Sequence, residues 1–90
     1  MQFEWDSDKA DANLRNHGVL FLEAMTVFQD PLAMTYDDPD HSFEEDRCIT
    51  MGTSLAGRLL FISHTDREER IRIISTRQAT RSERRSYEDG

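Results

Sequence analysis

The chain has one cysteine, two prolines, four glycines and, among its 11 basic residues, a single lysine, Lys9. One cysteine excludes an internal disulfide and a thiolate metal cluster. Cys48 sits in an apolar, strand-like run, which reads as a core thiol, with a nucleophile as the sharper alternative. So few prolines and glycines, beside 37% hydrophobic and 32% charged residues, exclude a low-complexity chain and describe a compact one. Apolar runs such as Leu59 to Ile62 fall far short of the roughly 20 residues of a membrane span. The start, MQFEWDSDK, lacks a signal-peptide pattern, so a cytoplasmic location is expected. At 90 residues the chain is shorter than the usual domain, and one domain over residues 1–90 with one small core is expected.

The net charge of −7 argues at first against a polyanionic partner. Its distribution argues the other way. Residues 1–46 hold 12 acids against Lys9 and Arg15, a net of −10, whereas residues 47–90 hold nine arginines against six acids, a net of +3. Arginine grips phosphate and carboxylate bidentately, whereas a generic solubilising surface would include lysine. The basic half therefore points to an anionic partner.

That half is organised around Gly57 to Thr80. Two runs rich in β-branched and aromatic residues, Leu59 to Thr65 and Arg70 to Thr76, flank a charged connector, Asp66 to Glu69, which predicts a β-hairpin. With Thr65 opposite Arg70, alternation puts Leu60, Ile62, Ile71 and Ile73 on one face and Phe61, Ser63, Arg70, Arg72 and Ile74 on the other. The first face is core. The second is either a solvated strand face or an anion-binding one.

The other elements follow from local signals. Phe3 and Trp5 alternate with polar residues, predicting a short edge strand with both aromatics inward. Asp6 is an N-cap and Gly18 a left-handed C-cap for a helix from Ser7 to His17, whose apolar stripe is thin: Ala10, Leu14 and the aliphatic part of His17. Phe21, Ala24, Met25 and Phe28 mark an amphipathic helix from Phe21 to Gln29, closed by Asp30 and Pro31. Strands are expected at Leu32 to Tyr36 and Arg47 to Thr53. Between them residues 37–46 form an acidic loop in which Asp37, Asp38, Asp40 and His41 lack the spacing of a standard metal site. Thr80 and Glu83 form a capping box that opens a last helix to about Glu88, with Arg81 and Arg85 on one face, Arg84 and Tyr87 flanking, and few core contacts. The expected fold is α+β: a small antiparallel sheet with two N-terminal helices on one face and a C-terminal helix.

Four blocks in order, FEWDSDKADANLRNHGV, VFQDP, GRLLFISHT and IRIISTRQATRSERRSYED, resemble the BrnT toxin family over almost the whole chain. The resemblance implies a RelE-like fold, ribonuclease activity that arrests translation, no cofactor, and neutralisation by a BrnA-like antitoxin with a ribbon-helix-helix DNA-binding part, so that DNA is met only through the antitoxin.

Metal-free RNA cleavage needs a group to activate the 2′-hydroxyl, a proton donor for the leaving oxygen, and fixed cations for the phosphorane charge. Arg72, Arg77 and Arg81 match the block R-I-I-S-x-R-x-A-T-R and are the candidate cations, expected to converge on one phosphate. His64 is the acid or base candidate by its ordinary pKa, although alternation groups it with Ile62, as a core or rim histidine would be. Glu83 is a candidate whose capping role already explains it. Arg70, Arg84, Arg85 and Tyr87 are candidates for contact with RNA or antitoxin. The alternative function is a non-catalytic module whose arginine face docks an acidic partner.

Overall fold

The computed structural model describes residues 1–40 and 46–89. Within them lie β1 (Gln2–Glu4), α1 (Ser7–His17), α2 (Phe21–Val27), β2 (Met34–Asp37), β3 (Arg47–Thr53), β4 (Leu59–Arg67), β5 (Arg70–Gln78) and α3 (Arg81–Asp89). The strands form one sheet in the order β1-β5-β4-β3-β2. The architecture is α+β as expected, but the sheet is mixed rather than antiparallel, because β1 pairs in parallel with β5. None of the described helices is long and apolar enough to cross a membrane.

The hairpin is longer than expected. Arg67, not Thr65, faces Arg70, and Thr65 faces Arg72. The chain reverses at Glu68, whose φ of 55° is the left-handed conformation that two-residue hairpin turns require. Because the shift is by two residues, it leaves every side chain on its expected face. Leu60, Ile62, Ile71 and Ile73 are all buried.

A bulge then changes the alternation. Ser63 faces Ser75 but His64 faces Ile73, which leaves Ile74 as an extra residue on β5. Beyond it the two faces exchange parity. Thr76 turns into the core, where it is 1% exposed, and Arg77 joins Arg72 on the opposite face. Without the bulge, positions 72 and 77 would lie on opposite sides of the sheet.

The two N-terminal helices cover the other side. Asp6 caps α1 by accepting from Asp8 N (2.8 Å) and Lys9 N (3.1 Å), and Gly18, at φ 68°, ends it by donating to Leu14 O (2.9 Å). In α2 the buried residues are Phe21, Ala24 and Val27, whereas Met25 and Phe28 are half-buried at the rim of the core. The helix stops at Val27, so its inward stripe runs 21-24-27 instead of following the expected set. Trp5 meets Phe21 edge-on (5.9 Å between centroids), and Phe28 stands between Phe3 and His64 at 5.2 Å from each.

The thin stripe of α1 is offset by one buried amide. Asn13 Nδ2 donates to Val19 O (3.0 Å) and Thr76 O (2.9 Å), while Oδ1 accepts from Thr76 N (3.1 Å). These bonds seal the edge of β5 just past the end of β1, where unpaired backbone would otherwise be exposed or left unsatisfied. Gly52 is required for a different reason: a Cβ there would lie 2.9 Å from Ala33 Cβ and from Val27 Cγ1. The end of α2 thus packs directly on the β3 backbone.

Candidate active site

On the face opposite α1 and α2, cross-strand pairing sets Met34, Met51, Phe61 and Arg77 in one row and Tyr36, Ile49, Ser63 and Ser75 in the next. Arg77 sits over Phe61, its guanidinium carbon 4.1 Å from the ring centroid. Its two terminal nitrogens donate to the two oxygens of Glu83, NH1 to Oε1 at 2.8 Å and NH2 to Oε2 at 2.9 Å. The cation–π contact and the two-pronged bond to Glu83 together hold the guanidinium in place.

Glu83 reaches that position because the capping box forms as the sequence indicates. Glu83 Oε1 accepts from Thr80 N (2.8 Å), and Thr80 Oγ1 accepts from Glu83 N (3.2 Å). Hydrogen bonds from Arg77 hold the Glu83 carboxyl below its usual range against an opposing contribution from burial, and the same bonds raise Arg77. Both groups are charged at neutral pH. Tyr36 is close enough to sense them: burial raises its pKa, the Glu83 charge raises it further and Arg77 opposes.

A second cation lies on the same face. Arg72 NH1 is 3.1 Å from Glu4 Oε2 and Arg70 NH1 is 3.6 Å from Glu4 Oε1, so parallel pairing of β1 delivers one carboxylate to two arginines. Thr65, opposite Arg72, and Phe61, opposite Arg77, are four residues apart on β4, roughly 13 Å at about 3.3 Å per residue. The structure therefore sets Arg72 and Arg77 as two stations along the strand rather than at one point. Ser63 and Ser75 lie between them.

His64 is on the other side of the sheet. It is 1% exposed, with Nδ1 2.8 Å from Asp66 Oδ1 and Nε2 2.7 Å from Thr50 Oγ1, which is itself 2.7 Å from Thr35 Oγ1. In the neutral ring, Nδ1–H donates to Asp66 and Nε2 accepts from Thr50. Burial lowers its pKa, with Asp66 pulling the other way. The alternation with Ile62 marks its position correctly, on the face opposite Arg72 and Arg77.

Arg81, Arg84 and Arg85 are exposed on α3 and form no ion pair among the described residues. Tyr87 is half-buried, and its hydroxyl donates to Asp30 Oδ2 at 2.6 Å. Asp30 also accepts from Thr53 N (2.8 Å) and Leu32 N (2.9 Å). It thereby ties α3 to the end of β3 and to the turn after α2. Tyr87 and Glu83 are the two anchors of a helix that has no fully buried residue. Cys48 is half-buried, with its thiol pKa raised chiefly by burial. No group of three His, Cys, Asp or Glu among the described residues is placed to hold a metal ion, and His41 lies outside those residues.

Sequence reasoning missed Glu4, Asp30, Tyr36 and the role of Phe61 as the bed for Arg77. Three of these depend on which strands are neighbours. Asp30 had a local signal: it stands in the VFQDP block where a mere helix stop would need no carboxylate.

Fold and site together define a small α+β protein with one face of its sheet packed by helices and the other lined by arginine–carboxylate pairs. The family model described as ribonuclease toxin, BrnT, of type II toxin-antitoxin systems matches residues 5–83, and the chain belongs to that family. Among solved structures it is similar to the Brucella abortus ribonuclease toxin BrnT at 20% identity, with a TM-score of 0.71, over 90% of this chain and 99% of that one. At that identity the likeness bears on the fold. A search of curated proteins finds no match.

Proposed function

We propose that the chain cleaves RNA without a metal at the arginine face, that this cleavage arrests translation in the cytoplasm, and that a BrnA-like antitoxin with a ribbon-helix-helix part blocks it. The observation that carries the reading is the arrangement around Arg77, a permanent cation held in one orientation by Phe61 and Glu83 beside a half-exposed edge. In the reaction the 2′-oxygen attacks the adjacent phosphorus and loses its proton. The bond from phosphorus to the 5′-oxygen then breaks and that oxygen takes a proton, leaving a 2′,3′-cyclic phosphate and a 5′-hydroxyl. Charge builds on the non-bridging oxygens in the transition state, and a cation oriented beforehand stabilises it without reorganisation. Arg77 takes that role, Glu83 positions it, and Arg72 holds a neighbouring phosphate.

The antitoxin would present acids to Arg81, Arg84 and Arg85, the cations left unpaired on α3, and in doing so cover the RNA path. Incubation of purified protein with RNA in EDTA tests the reading. Cleavage yielding cyclic-phosphate ends supports it, and activity that vanishes in EDTA and returns with a divalent ion overturns it.

A further inference from the structure

Among the described residues two buried side-chain hydroxyls have no hydrogen-bond partner, those of Thr65 and Thr76. Leaving such a group unpaired costs stability, and a ligand that supplies the missing partner is one reason to keep it. Thr76 turns into the helix-covered core, where no ligand reaches it. Thr65 has different surroundings. It alternates with Phe61 and Ser63 on the arginine face, is 2% exposed, and lies directly opposite Arg47 of β3 on one side and Arg72 of β5 on the other. Each arginine stands one strand spacing away, about 4.8 Å, with its side chain on the same face. One cross-strand row thus sets a hydroxyl donor between two guanidinium groups.

This row also carries an excess of positive charge at its β5 end. Arg72 and Arg70 share the single carboxylate of Glu4, at 3.1 Å and 3.6 Å. The side chains of Arg72 and Glu4 are 35% and 32% exposed, so an anion from solvent can compete for the guanidinium. Proteins hold nucleic-acid phosphates with this combination of arginine and Ser or Thr hydroxyl groups. The row contains no aromatic ring on which a base could stack, so it suits the backbone of RNA and not its bases.

We infer that Arg47, Thr65 and Arg72 form a subsite for one backbone phosphate of RNA, which holds the strand away from the point of cleavage. Four residues of β4 separate Thr65 from Phe61, the partner of Arg77, roughly 13 Å at about 3.3 Å per residue. The phosphate replaces Glu4 at Arg72, and as that guanidinium swings aside the Thr65 hydroxyl donates to a phosphate oxygen. This rests on the ribonuclease reading and adds Arg47 and Thr65 to the phosphate contact given there to Arg72.

The test is fluorescence anisotropy across a salt series, with a labelled single-stranded RNA of about eight nucleotides whose 2′-hydroxyls are all methylated so that it cannot be cut. Thr65→Val keeps the shape of the side chain and removes the hydroxyl. Binding should weaken about 10- to 150-fold, the range for a hydrogen bond to a charged group, while the melting temperature stays level or rises because no unpaired hydroxyl remains. Arg47→Ala and Arg72→Ala should each weaken binding alike for every sequence. Each should also make the fall of log K with log salt shallower, by up to about 0.7, the share of one phosphate on a single strand. Replacing single linkages by neutral methylphosphonates should reveal one position where the loss is largest and where Thr65→Val adds nothing further. Wild-type affinity in a folded Thr65→Val, an unchanged salt slope in either arginine variant, or the absence of such a linkage would overturn the subsite. Loss of antitoxin binding with RNA binding intact would overturn it too and assign the row to the protein partner. If wild type cuts RNA while these outcomes hold, the subsite alone is wrong. If wild type neither binds nor cuts RNA, the ribonuclease reading falls with it.

Discussion

The two faces of the sheet are built from the same strands and solve opposite problems. On the helix-covered face two buried side chains are closed into local circuits, Asn13 with the Thr76 backbone and Val19, and His64 with Asp66 and Thr50. On the arginine face the partners are carboxylates from opposite ends of the chain, Glu4 from β1 and Glu83 from α3. Each such pair is partly exposed, so its net stabilisation is about 0 to 1 kcal/mol. Weakly held, permanently charged groups can exchange a carboxylate for a phosphate at little cost, whereas a closed buried circuit cannot. The difference is the physical reason for proposing the chemistry on the arginine face although a histidine stands on the other.

That contrast can be broken most sharply in the core. Phe21 is 2% exposed and meets Trp5 edge-on. Phe21→Ala should cost about 3 to 5 kcal/mol, a large share of what a domain of this size possesses. Phe28→Ala, at the half-buried rim, should cost less. Chemical denaturation of both variants checks the order, and equal losses would show that the core does not centre where the structure puts it.

An intermediate effect is expected at Glu83, which belongs to both the cap and the site. Glu83→Ala removes the capping bond to Thr80 N and should lower stability by about 0.5 to 2 kcal/mol. It also frees Arg77 without removing its charge, so cleavage should fall less than in Arg77→Ala. A single melt and a single rate measurement on the same preparation check both.

The smallest effect is a pH dependence. Burial lowers the folded pKa of His64 below its ordinary 6.5, so the folded chain favours the neutral ring. The unfolded chain takes up a proton as pH falls through about 6.5, while the folded chain does so only lower down. The contribution of His64 is therefore complete above that value and is lost as pH falls from it through the folded pKa. Denaturation at stepped pH should show this decline in wild type and lose it in His64→Gln. Glu83 and Glu23, whose carboxyls are held low by Arg77 and Arg58, add a separate decline below their ordinary 4.5.

Much of this was legible from residues. The faces of the hairpin, the Asp6 and Gly18 caps, the Thr80–Glu83 box and the burial of His64 beside Ile62 all follow from short-range rules, and they survive even the two-residue shift in register. What was illegible depends on events between strands. One extra residue at Ile74 decides that Arg77 shares a face with Arg72, and no local pattern announces a bulge in I-R-I-I-S-T. The aromatics at Phe3 and Trp5 indicate an edge strand but not which edge, so the delivery of Glu4 to Arg72 could not be read. The bonds of Asn13 to the Thr76 backbone join residues far apart in the chain, beyond the reach of any local pattern.

The central claim is that cleavage belongs to the arginine face and not to the buried histidine. Single-turnover cleavage of one RNA by Arg77→Ala and His64→Gln, each shown to be folded by its melt, tests it most directly. Arg77→Ala should lose about 100- to 1000-fold, the range for removing a preorganised transition-state donor, whereas His64→Gln should cleave at near the wild-type rate. Full activity in a folded Arg77→Ala, or a comparable loss in a folded His64→Gln, would contradict it.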